Sequence, residues 1–183
     1  MSTNIKKLTL GGCCVIALSL GIANAVEAGI NYGHKYGFGT PASAADISKI
    51  DIDVMPDGRG APPGQGTYAE GKKVYAATCA ACHGADMAKP VKGTGAAPLR
   101  GGRGTLTSGK PKKTVESYWP YASTLFDYTK RAMPFYEPGS MNDNDIYAVV
   151  AYILAEGNII SKDTVMNAKT LASVRMPNRD GFI

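Results

Sequence analysis

The stretch Cys79-Ala80-Ala81-Cys82-His83 constrains this 183-residue chain more than any other. Two thiols three positions apart, followed at once by an imidazole, form the attachment signal for a c-type haem. On a helical turn, residues i and i+3 share a face, so both sulfurs can add to the two vinyl groups on one porphyrin edge. His83 then lies against the iron as the proximal ligand. Two rival readings explain less. A structural zinc site takes four ligands from clusters of Cys and His, and once a leader carrying Cys13 and Cys14 is removed, only His34 remains outside the motif. A thioredoxin-like redox pair needs no following histidine and sits on a strand–helix pattern that this sequence lacks.

That leader is residues 1–25. Lys6 and Lys7 precede an apolar run from Leu8 to Ala23, and Ala23-Asn24-Ala25 supplies small residues for cleavage after Ala25. The run is shorter than the roughly 20 residues needed to span a bilayer. Leu10-Gly11-Gly12-Cys13 resembles a lipoprotein box only superficially, because cutting there would strand the apolar segment after the cut. Export to the periplasm follows from this reading, as does a mature chain whose formal charge falls from +5 to +3. With 44% hydrophobic and 19% charged residues, a packed core is expected rather than disorder.

Periodicity orders the rest. Residues 26–64 are rich in Gly, Pro and Ala without a helical pattern and read as an extended arm. Thr67-x-x-Glu70 is a capping box, and Tyr68, Gly71, Val74, Tyr75 and Thr78 recur at three and four, predicting a helix that runs straight into Cys79. Residues 84–114 read as a loop whose apolar anchor is Pro98-Leu99. A short helix is predicted from Ala122 to Ala132, stopped by Pro134. Asn142-Asp143-Asn144-Asp145 opens a final helix with the stripe Ile146, Val149, Val150, Ile153 and Leu154, closed by Gly157. The haem domain is thus 65–157, all-α, followed by a tail over 158–183 with a weak helical stretch near Val165–Leu171. With so few apolar residues in the 84–114 loop, the haem itself must supply much of the core.

The second axial ligand has five candidates: Met87, Met133, Met141, Met176 and His34. Met133 is favoured, because Pro134 halts the helix there and holds the sulfur in an extended turn far enough along the chain to reach the opposite porphyrin face. Met87 is too close to His83 to do so easily. Arg100 or Arg103 can pair with the propionates, and Trp119, Tyr118 or Tyr121 can donate hydrogen bonds to them.

These residues resemble class I cytochrome c over roughly Thr67 to Gly157, with Cys79, Cys82, His83 and Met133 at its haem-binding positions. The resemblance implies a first and a last helix that cross at a small residue against an aromatic ring, here Gly71 with Tyr152 or its neighbour. It also implies a proline whose carbonyl holds the proximal histidine, a role for Pro98. The stretches Thr114–Ala122, Arg131–Phe135, Asp51–Val54 and Pro56–Gly60 are similar, more narrowly, to the cytochrome subunits of periplasmic sulfane dehydrogenases. In that group the cytochrome takes electrons from a molybdenum enzyme of the sulfite oxidase family. Some of its members carry two haem motifs, whereas this chain has one.

A low-spin haem closed by His and Met ligands moves electrons and has no open position for a substrate. An open-site haem enzyme or sensor, or a general diffusible carrier, is the alternative. Between Lys89 and Arg131, nine Lys or Arg stand against Glu116 and Asp127, a local +7. Such a surface can steer an acidic redox partner to the haem edge; the competing reading is an ordinary solvated loop.

Overall fold

The computed structural model describes residues 38–182. The leader and His34 lie outside them. All regular elements among the described residues belong to the compact unit Ala42–Ile183. They are α1 (Ala44–Ile50), β1 (Gln65–Gly66), α2 (Tyr68–Val74), a π-helical turn (Tyr75–Cys79), α3 (Ala80–His83), α4 (Ala122–Ala132), α5 (Asp143–Glu156), β2 (Met166–Asn167) and α6 (Ala168–Ser173). Among the described residues no helix is long and apolar enough to cross a membrane.

The frame is the crossing of α2 and α5. The Thr67 hydroxyl accepts from the Glu70 amide while the Glu70 carboxylate accepts from Thr67, so the first turn of α2 is capped in both directions. Asn142 caps α5 by accepting from the Asp145 amide, with Asp143 and Asp145 at the positive end of its dipole. From Ile146 to Ala155 every residue of α5 is buried, so its apolar stripe is wider than one face and the helix forms the centre of the core. Gly71 is the point of closest approach: a Cβ there would strike the Ala148 carbonyl and lie 2.8 Å from Tyr152 Cβ. The small residue against an aromatic ring therefore occurs where the resemblance placed it.

The helix entering the haem motif is continuous but not α-helical throughout. A π turn from Tyr75 to Cys79 separates α2 from α3, an insertion that changes which way the following residues face and is common at functional sites. Periodicity alone does not reveal it, since the apolar positions on either side keep helical spacing.

The arm and tail are more structured than their composition suggested. Ser43 and Asp46 form a capping box that starts α1 within the Gly/Pro/Ala-rich segment. Val54 is buried, its amide bonds Asp127 at 3.0 Å, and the Tyr147 hydroxyl donates to the Pro62 carbonyl at 2.8 Å. β1 pairs antiparallel with β2, Gln65 opposite Asn167 and Gly66 opposite Met166. Met166, Leu171 and Met176 are all within the core. Residues 158–176 therefore complete the haem domain's interior instead of trailing from Gly157. Only the tertiary fold supplies the surface these three side chains bury against.

Candidate haem-attachment site

Cys79 ends the π turn, and Cys82 and His83 lie on the single turn of α3. Both thiols are half-buried and neither is in a disulfide. Burial, with Cys82 beside it as the lesser cause, pushes the Cys79 thiol up to about 11, so it stays protonated at neutral pH. Gly84 ends α3 at φ +78, where a Cβ would run into the Lys89 carbonyl; glycine alone permits this turn.

The following loop folds back under the motif and fastens to it at two levels. The Cys82 carbonyl accepts from the Val91 amide at 2.9 Å and the Thr94 hydroxyl at 3.3 Å. The carbonyl of Met87, a buried residue in the left-handed region at φ 60, accepts from the amides of Leu99 at 2.8 Å and Arg100 at 3.2 Å. This brings a backbone carbonyl to 2.9 Å from His83 Nδ1, and it is that of Ala97. The role expected for Pro98 thus moves back one residue. A proline forces the residue before it into an extended conformation, so Pro98 aims the Ala97 carbonyl rather than contributing its own. With Nδ1–H donating to Ala97, the tautomer leaves the Nε2 lone pair for a metal.

Met133 follows α4, half-buried, in an extended conformation with its amide bonded to Thr129 O at 3.1 Å. Pro134 behind it is buried, while Phe135 and Tyr136 stand largely exposed. Met87 and Met176 are fully enclosed in the apolar core and Met141 packs against it.

Several proposed propionate partners already have other contacts. Arg100 reaches Glu156 at 3.5 Å, and Arg103 pairs with Glu116 at 2.9 Å while also bonding the Gly157 carbonyl. Trp119 packs edge-on to Tyr128 at 5.7 Å, Arg179 lies over the Tyr121 ring, and Lys113 lies over Tyr118. The basic stretch divides the same way. Arg100, Arg103, Lys130 and Arg131 form salt bridges. Lys89, Lys92, Lys110, Lys112 and Lys113 have no salt-bridge partner among the described residues, so the unneutralised charge belongs to lysines of the loop.

The donor chemistry fits a covalent haem c: two unpaired thiols three positions apart where the π turn meets α3, an imidazole fixed in the ligating tautomer, and a thioether in an extended turn after α4. No cluster of three or more His, Cys, Asp or Glu among the described residues forms a separate metal site. The sequence model that matches is that of cytochrome c, over residues 68–155. No curated protein sequence matches. Among solved structures, the chain is similar to one in the crystal structure of the sulfane dehydrogenase SoxCD from Paracoccus pantotrophus, at 39% identity with a TM-score of 0.74, covering 81% of this chain and 72% of that one. With that likeness, the motif and the crossing of α2 on α5 all in agreement, this chain belongs to the cytochrome c family, whose members carry covalently attached haem c.

Proposed function

We propose that the protein is a periplasmic mono-haem cytochrome that accepts single electrons from a molybdenum dehydrogenase of the sulfite oxidase family during the oxidation of sulfur compounds. The observation that carries this reading is the 39% identity, across 81% of the chain, to a chain of a sulfane dehydrogenase. When bound, the haem supplies a one-electron couple.

The chain's own residues do the rest. Cys79 and Cys82 would hold the group covalently, with His83 and Met133 as the ligands to its iron. The Ala97 carbonyl holds the His83 Nδ1 proton and thereby fixes the ring's orientation and basicity. Pro98, Arg100 and Trp119 would line the haem's site in this reading, Arg100 while also paired with Glu156. The unpaired lysines of the 89–113 loop give a long-range attraction for an acidic partner that acts mainly on the rate of encounter and weakens with salt.

The test is purification of the native protein at low salt, with the eluate assayed for molybdenum and co-eluting protein. A stoichiometric molybdenum subunit supports the reading. Holo-cytochrome eluting alone, at every ionic strength, sinks it in favour of a diffusible carrier.

A further inference from the structure

Met133 stands between two segments that are held very differently. On its C-terminal side Pro134 is buried, but residues 135–140 are all exposed. Among the described residues that stretch makes two local backbone hydrogen bonds, from the Glu137 amide to the Pro134 carbonyl and from the Ser140 amide to the Glu137 carbonyl. It supplies little restraint on the methionine before it.

The N-terminal side is tethered. Met133 caps α4, and the last turn of a helix frays unless something outside holds it, because its final carbonyls lack partners within the helix. Two consecutive side chains of that turn reach outward. Lys130 pairs with Asp143, in the first turn of α5, at 2.5 Å. Arg131 donates to Asp127 at 2.8 and 3.0 Å and also pairs with Asp53 of the arm. The Asp127 oxygen that Arg131 reaches at 3.0 Å accepts the Val54 amide as well, again at 3.0 Å. One carboxylate and one guanidinium thus join the end of α4 to two adjacent residues of the arm.

The arm is a firm anchor at this point. Val54 belongs to the apolar core. The segment from Asp53 to Gly60 closes on itself: the Met55 amide donates to the Arg59 carbonyl at 2.9 Å, and a Cβ at Gly60 would strike the Asp53 carbonyl. At its tip, a Cβ at Gly58 would lie 3.0 Å from Ala172 Cβ, so the loop is seated on α6. A lone exposed ion pair contributes little, but the Asp127 side chain is only 24% exposed and holds a backbone amide and a guanidinium together.

We propose that the loop Asp53–Gly60, acting through Asp127 and Arg131, is a clamp on the last turn of α4 that positions the Met133 thioether for the iron. Asp127 and Arg131 are positioning residues: they act through the helix end that presents Met133. The clamp sets how much of the protein has the thioether displaced, and so how readily another ligand takes its place. The inference rests on Met133 as the ligand and is independent of the electron donor.

The test titrates the ferric, haem-loaded protein with imidazole, which competes with the thioether. In Asp127→Ala the apparent affinity for imidazole should rise about tenfold, the factor set by losing hydrogen bonds to a charged group. Asp53→Asn, which cuts only the outer pair, should raise it about twofold, and Asp180→Asn, which breaks the exposed pair with Arg175, should leave it unchanged. On heating, the thioether-to-iron charge-transfer band of Asp127→Ala should fade earlier than in the wild type by more than its circular dichroism midpoint falls, whereas a merely structural loss moves both together. Should Asp127→Ala fail to fold, Asp53→Asn, whose side chain is 66% exposed, carries the test alone. Wild-type imidazole affinity in the Asp127 variant, or in Asp53→Asn where that stands alone, would overturn the clamp, as would parallel loss of the band and the helices. Met133→Ala separates the two readings: a band lost there while the clamp variants behave as the wild type overturns the clamp alone, and a band retained there overturns the ligand assignment and the clamp with it.

Discussion

Replacing Gly71 by alanine tests the central packing argument with one methyl group. An ideal Cβ at this position lies 2.5 Å from the Ala148 carbonyl carbon and 2.8 Å from Tyr152 Cβ, with the Ala148 oxygen nearer still. Carbon atoms prefer separations of about 3.5–4.0 Å, so α2 and α5 must part locally by about 1 Å. Neither obstacle is the free end of a flexible side chain, and α5 is buried along its length, which leaves it little room to retreat. Overpacking of this kind costs about 1–3 kcal/mol or more, against a helix-propensity gain of about 1 kcal/mol for alanine over glycine. The backbone of both helices is involved, which places the cost at the upper end and the net loss at about 2 kcal/mol. For a domain of this size that corresponds to a fall of roughly 4–8 °C in Tm. Gly109→Ala is the matched control: nothing lies within 4 Å of its Cβ position and its backbone is not left-handed, so it should be neutral or slightly stabilising. The assay is thermal unfolding of the haem-loaded proteins followed by circular dichroism. A Gly71→Ala midpoint equal to or above that of the wild type would refute the close-crossing argument.

Other outcomes follow from the site and its supports. Met133→Ala should abolish the thioether-to-iron charge-transfer band and lower the reduction potential, because thioether ligation favours ferrous iron; unchanged spectra would move the ligand to another methionine. Cys79→Ala should leave the haem joined by a single thioether, read as the mass and visible spectrum of the holoprotein. The Arg131 side chain, as the largest cause, together with the Val54 amide, holds the Asp127 carboxyl below its ordinary value of 3.8. A depressed carboxylate stabilises the fold above its unfolded pKa and loses that contribution as pH falls through the folded value. Acid should therefore weaken the arm's anchor from about pH 4 downward, and Asp127→Asn should remove that part of the pH dependence in urea titrations. Arg131→Ala, which releases both Asp127 and Asp53, should expose the arm to proteolysis near Val54.

Local chemistry explains which features were legible in advance. The boundaries of α4 and α5 and the capping of α2 are set by residues that contact one another within a few positions: Thr67 with Glu70, Asn142 with Asp145, and Pro134 just beyond Ala132. The haem motif is equally local, since its chemistry depends on a spacing of three. The capping box at Ser43 and Asp46 was also present to be read, but it lies in a segment whose glycine and proline content argued for a loop.

What the sequence by itself determined was the attachment chemistry and the order of the helices, because these depend on residue type and short spacing; the glycine at their crossing followed from the resemblance to class I cytochrome c. Tertiary structure alone decided which carbonyl holds His83, since Met87, Leu99 and Arg100 fix that loop by backbone hydrogen bonds that any residue could make. It also decided that Arg100 and Arg103 meet Glu156 and Glu116, and that Met166, Leu171 and Met176 close the core. Each of these joins segments distant in the chain, where the partner is chosen by the shape and charge of a surface that exists only once the helices have packed.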